Sequence, residues 1–100
     1  MTKEEIRKEL RDIRFYFSKK QTFDKAAVII GEHIIVSKMM KYHEIIRSAP
    51  PKLYDLYYSL YLDNNTIESL ADKYCFSSNY IRNLNKMLVD YFFEKLNINA

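Results

Sequence analysis

Apolar residues at Ile6, Leu10, Ile13 and Phe17 recur in steps of four, three and four. That spacing predicts one face of an amphipathic helix over about residues 3–19. Lys and Arg at 7, 8, 11 and 14 fill much of the rest, and Ser18–Asp24 reads as a polar connection with Phe23 turned inward. From 23 to 47 the pattern admits two readings. Val28-Ile29-Ile30 and Ile34-Ile35-Val36 flank Gly31-Glu32-His33 as β-branched runs flank the turn of a small hairpin. Read as helix, Ala27, Ile30 or Gly31, Ile34, Ser37 or Lys38, Met39, Tyr42 and Ile46 follow a 3.6-residue period, and 37–47 contains no break signal. Helix is the preferred reading, with 26–36 left open between helix and hairpin.

Ser48-Ala49-Pro50-Pro51 is the strongest break in the chain, because proline ends one helix and suits the first turn of the next. A helix of about 50–62 follows, burying Leu53, Leu56, Tyr57 and Leu60, with Tyr54, Tyr58 and Tyr61 beside that face. Asp63-Asn64-Asn65 stops it. Thr66 is placed to cap a short helix, Ile67–Tyr74, that turns Ile67, Leu70 and Ala71 inward. After a tight turn at Tyr74-Cys75-Phe76, Ser77 caps a last helix of about 78–96. Its buried series is Ile81, Leu84, Leu88, Phe92 (or Tyr91) and Leu96. The expected fold is all-α: a four to five helix bundle in a single domain, 1–100. It divides into N-terminal helices over 1–47 and a C-terminal helix-turn-helix region over 50–96.

Composition supports this and narrows the chemistry. One Gly in 100 residues cannot build a Gly-rich phosphate loop or the turns of a many-stranded barrel. The single cysteine, Cys75, permits no internal disulfide and suits a reducing cytoplasm. The opening MTKEEIRKEL is charged throughout and does not read as a signal peptide; the apolar stretches are too short and interrupted to span a bilayer. A cytoplasmic protein without membrane association is expected. Charge is uneven: residues 1–25 hold eight basic and five acidic side chains, whereas 51–100 hold five and six. The net +3 is thus an N-terminal property, a weak pointer to an anionic partner.

The segment 66–88 carries the most specific pattern. A two-turn helix, a three-residue turn and a longer capped helix have the spacing of a helix-turn-helix unit, whose second helix enters the DNA major groove. Ala71 allows close crossing, Phe76 plugs the corner, Ser77 satisfies free amides, and Ile81 and Leu84 pack against Leu70. Tyr61-Leu62, the acidic and amide turn, Thr66, Leu70-Ala71, Ser77 and Ile81-Arg82 together resemble the promoter-reading C-terminal region of sigma factors over residues 53–92. They resemble more closely the small sigma-like activators with which phages turn on late genes. The resemblance implies a transcription regulator of phage or mobile-element origin. Two departures stand out: Cys75 occupies the turn position where Gly is usual, and the second helix is poor in positive charge.

With Ile81, Leu84, Leu88 and Phe92 inward, steps of about 100° turn Asn79, Arg82, Asn83 and Lys86 outward, with Ser78 in the first turn. Asn suits adenine and Arg guanine, while Lys86 suits phosphate. Lys3, Arg7, Lys8, Arg11 and Arg14 either contact phosphate or stay solvated. His33 and His43-Glu44 lack the spacing of a metal helix. Cys75 has no His near it in sequence to make it a nucleophile, so no catalysis, metal or cofactor is expected. The aromatic excess, Tyr54, Tyr57, Tyr58, Tyr61, Tyr91, Phe92 and Phe93, exceeds one core; Phe93 in particular faces away and suits a subunit contact. Expected partners are double-stranded DNA, with RNA polymerase and a homodimer as further candidates. The alternative is a non-enzymatic protein-interaction module on the same scaffold, binding RNA polymerase, a repressor or a packaging protein.

Overall fold

Thr2 and Glu5 open the first helix, α1 (Lys3–Lys19), with a reciprocal capping box: the Glu5 amide donates to Thr2 Oγ1 and the Thr2 amide to Glu5 Oε1, each at 3.1 Å. The computed structural model describes residues 1–19 and 37–98. The open choice at 26–36, the connection with Phe23, and His33 all lie outside the described residues. Within them all regular structure is helical, in five helices without a strand. These are α1, α2 (37–46), α3 (Pro51–Tyr57, prolonged by a π-helical turn Tyr58–Leu62), α4 (Ile67–Tyr74) and α5 (Ser78–Ile98). None is long and apolar enough to cross a membrane.

One apolar cluster joins all five. α1 contributes Ile6, Leu10 and Ile13, α2 Tyr42 and Ile46, α3 Leu53, Leu56 and Tyr57, α4 Leu70 and Ala71, and α5 Ile81, Leu88, Val89 and Phe92. At its centre the Tyr42 and Tyr57 rings meet Phe92 edge-on at 4.8 and 5.8 Å, the geometry that the ring quadrupoles favour. No buried side-chain nitrogen or oxygen among the described residues lacks a partner.

Four packing expectations need correction. Tyr16 is buried and Phe17 only half-buried. Tyr61 lies inside rather than beside the core. The cause is the π turn, in which Asp63 donates to the Tyr58 carbonyl, five residues back, at 2.8 Å. A π turn takes more residues per revolution than an α turn, so Tyr61 swings back onto the Leu53–Tyr57 stripe. On α5, Val89 is fully buried while Leu84 and Leu96 are only partly so. The reason is that α1 packs along one flank of α5. The same contact covers Phe93, which is half-buried under the Lys3 ammonium at 5.3 Å rather than free for a subunit contact.

Candidate nucleic-acid interface

α4 and α5 are joined by a rigidly defined corner. Thr66 Oγ1 accepts from the Ser69 amide at 3.0 Å and caps α4; Ser77 Oγ accepts from the Tyr80 amide at 3.1 Å and caps α5. Between them Cys75 adopts φ 58° and ψ 36°, a left-handed conformation. That turn lets the Phe76 amide close on the Ala71 carbonyl at 2.9 Å, the long bond of a Schellman closure. Leu70 and Ile81 fill the angle beneath the corner. Phe76 does not plug it, as its sequence position suggests. Its side chain is 49% exposed and lies on Tyr80, with ring centroids 4.6 Å apart. The left-handed residue before it directs the ring outward, where it lines a cleft with Leu70, Tyr80 and Ile81.

The five residues singled out on the last helix fall together. Asn79, Arg82, Asn83 and Lys86 are exposed on the outer face of α5, and Ser78 is half-buried in its first turn. Arg82 reaches back to α4, where its guanidinium meets Glu68 at 3.2 Å; both side chains are largely exposed. Such a pair is weak in water and leaves Arg82 available. From Ser78 to Val89 the helix has Arg82 and Lys86 and no carboxylate; Asp90 and Glu94 begin only beyond it. The positive character of α5 is therefore confined to its first half.

Sequence reasoning missed how α1 joins this face. Lys3, Arg7, Arg11 and Arg14 share one flank of α1 by their i, i+4, i+8, i+11 spacing, and Glu5, Glu9 and Asp12 share the other. The acidic flank meets α2, where Lys41 lies 2.9 Å from Glu9 and Lys38 3.3 Å from Asp12. The basic flank meets α5 and the end of α3. Lys3 pairs with Asp90 at 2.8 Å. Arg14 neither stays solvated nor is free for phosphate: it donates to the carbonyls of Leu60, Asn65 (2.9 Å) and Asn64 (3.5 Å). Leu60 lies in the π turn and Asn64 and Asn65 in the loop that leads to α4, so no following helical turn satisfies these carbonyls. Between these anchors Tyr61 donates to Asn85 Oδ1 of α5 at 2.6 Å. Burial pushes the Tyr61 phenol above its ordinary range, while the charges of Arg14, Arg11 and Arg7 pull it back. The signal for this arrangement was present in the charge segregation of α1, but its neighbour was not.

A cleft of about 210 Å³ lies on the other side of the corner, lined by residues that include Lys52, Asp55, Leu70, Tyr74, Phe76 and Tyr80. His43 serves as a boundary residue, its Nδ1 3.1 Å from the Tyr57 hydroxyl. No group of His, Cys, Asp and Glu among the described residues is arranged to hold a metal. Comparison with protein-family models, curated proteins and solved structures finds no match to this chain.

Proposed function

We propose that the chain is a sequence-specific DNA-binding transcription regulator of the sigma-like, phage or mobile-element kind, in which α4 and α5 form a helix-turn-helix and α5 reads the major groove. The observation that carries this reading is the outer face of α5. Asn79, Arg82, Asn83 and Lys86 project from an acid-free helical half whose opposite side is locked by Ile81, Leu88 and Val89. A rigid, capped helix presenting amide and guanidinium groups can pair bidentately with adenine and guanine edges, while Lys86 neutralises a phosphate. A two-fold homodimer would present two such helices at half-sites one helical turn apart.

Selection of bound duplexes from a random pool, followed by titration of the selected site, tests the proposal. Asn79→Ala or Asn83→Ala should weaken the selected site by about 1–3 kcal/mol while leaving random DNA nearly unaffected. Failure to enrich any sequence would refute sequence-specific reading.

A second reading has its own support. Exposed Tyr74 and Phe76 and half-buried Tyr80 form an aromatic row that lines the cleft, and Tyr is enriched where proteins meet. On this reading the scaffold binds RNA polymerase, a repressor or a packaging protein, and retention of a stoichiometric partner without DNA binding would favour it.

A further inference from the structure

We infer that Arg7 and Arg11 of α1 form, with Arg82 and Lys86 of α5, one continuous phosphate-binding ridge, so that the N-terminal helix grips the DNA backbone beside the reading helix. The inference rests on the DNA-binding reading above and extends its surface to a second helix.

The placement follows from three anchors. The Met1 ammonium donates to Asn97 Oδ1 at 3.1 Å, Lys3 meets Asp90, and Arg14 holds the carbonyls that lead into α4. α1 therefore runs antiparallel along α5, from its C-terminal end toward its start. Arg14, at one end of the basic flank, is held by backbone carbonyls, and Lys3, at the other, faces Asp90. Arg7 and Arg11 lie between them, on the stretch where Tyr61 joins Asn85, the neighbour of Lys86. Arg11 is exposed and has no carboxylate partner among the described residues; Lys86 has none either. Among the described residues Arg7 pairs with Glu4, one turn away and 78% exposed, so that bond yields readily to a stronger acceptor.

Folding thus gathers cations from two helices that lie far apart in sequence. Their mutual repulsion costs stability unless an anion lies across them. A phosphate backbone fits a row of cations, because a duplex repeats one charge about every 1.7 Å of its axis. Guanidinium groups bind phosphate bidentately, and the ridge borders the one half of α5 that carries no acid. The charge separation visible in the sequence is closed by the packing of α1.

The test is fluorescence anisotropy of the full chain on a short random-sequence duplex, between about 50 and 200 mM salt. Replacing both residues (R7Q/R11Q) should flatten the slope of log K against log salt by about 1.8, the release of two counterions. The thermal melt of the free chain should not fall, and rises if the repulsion among the four cations is relieved. Lys8→Gln, on the outer side of α1, should leave the slope nearly as it was. If R82A/K86A flattens the slope but R7Q/R11Q does not, the ridge is refuted and α5 alone binds DNA. A wild-type chain that ignores the duplex, or that binds polyglutamate more tightly, overturns both the ridge and the DNA-binding reading.

Discussion

Cys75 stands at φ 58° where any side chain with a Cβ is crowded by its own carbonyl. It is exposed and free, so no packing compensates it. Asn64 shares this backbone region at φ 59°, but the asparagine side chain tolerates it better and here donates to the Leu62 carbonyl. Glycine at 75 would relieve a strain of about 1 kcal/mol, part of which is offset by its larger entropy loss on folding. Cys75→Gly should therefore raise stability by about 0.5 kcal/mol, moving the urea midpoint up by roughly 0.3 M. Cys75→Val, β-branched in the same conformation, should lower it. If the glycine variant melts earlier than the parent, the corner is not strained as described.

At the scale of elements, the contact between α1 and α2 is a charge-assisted network. Glu9 Oε1 accepts from the Tyr42 hydroxyl at 2.6 Å and from Lys41 Nζ at 2.9 Å. Partial burial pushes the Glu9 carboxyl up, but these two bonds and the Lys41 and Lys38 charges outweigh it and hold it below its ordinary range. Because the folded value lies below the unfolded one, the stabilisation is complete above the unfolded pKa. It is lost as pH falls through the folded one. Glu9→Gln should cost about 1 kcal/mol at pH 7, and the gap between variant and parent should narrow in urea melts as pH falls below the ordinary glutamate range. A gap that persists in acid would mean that the carboxylate is not what Tyr42 and Lys41 bind. The helices themselves were largely legible: a period of 3.6 gave α1, Pro51 the start of α3, and Thr66 and Ser77 the caps. The π turn was not, since one inserted residue leaves no mark on polarity, and neither was the outward turn of Phe76. Hydrophobicity assigned Phe76 to the interior; the backbone of the residue before it turned it out. The four outward positions on α5, Asn79, Arg82, Asn83 and Lys86, could be read from helical geometry alone, with Ser78 half-buried beside them, whereas the place of α1 depended on which helix lay beside it.

For the whole molecule, the consequence of this packing is that the candidate interface has no core of its own. Ile6, Leu10 and Ile13 of α1 are fully buried in the cluster that holds Leu88, Val89 and Phe92 of α5. A chain of this size has about 5–15 kcal/mol of stability in total. Leu10→Ala removes a fully buried side chain and should cost about 2–5 kcal/mol. If 1–98 unfolds as one cooperative unit, that loss must be felt equally by the amides of α5, which touch no mutated atom. Hydrogen exchange in the Leu88–Phe92 stretch should then speed up by the factor that the urea-measured loss dictates, about tenfold for each 1.4 kcal/mol. Slower exchange in α5 than in α1 of the variant would instead mean that α3–α5 hold together without the N-terminal helix. In that case α1 would be an accessory laid on α5 rather than a wall of its core, and its arginines could be moved or removed without disturbing the helix they flank.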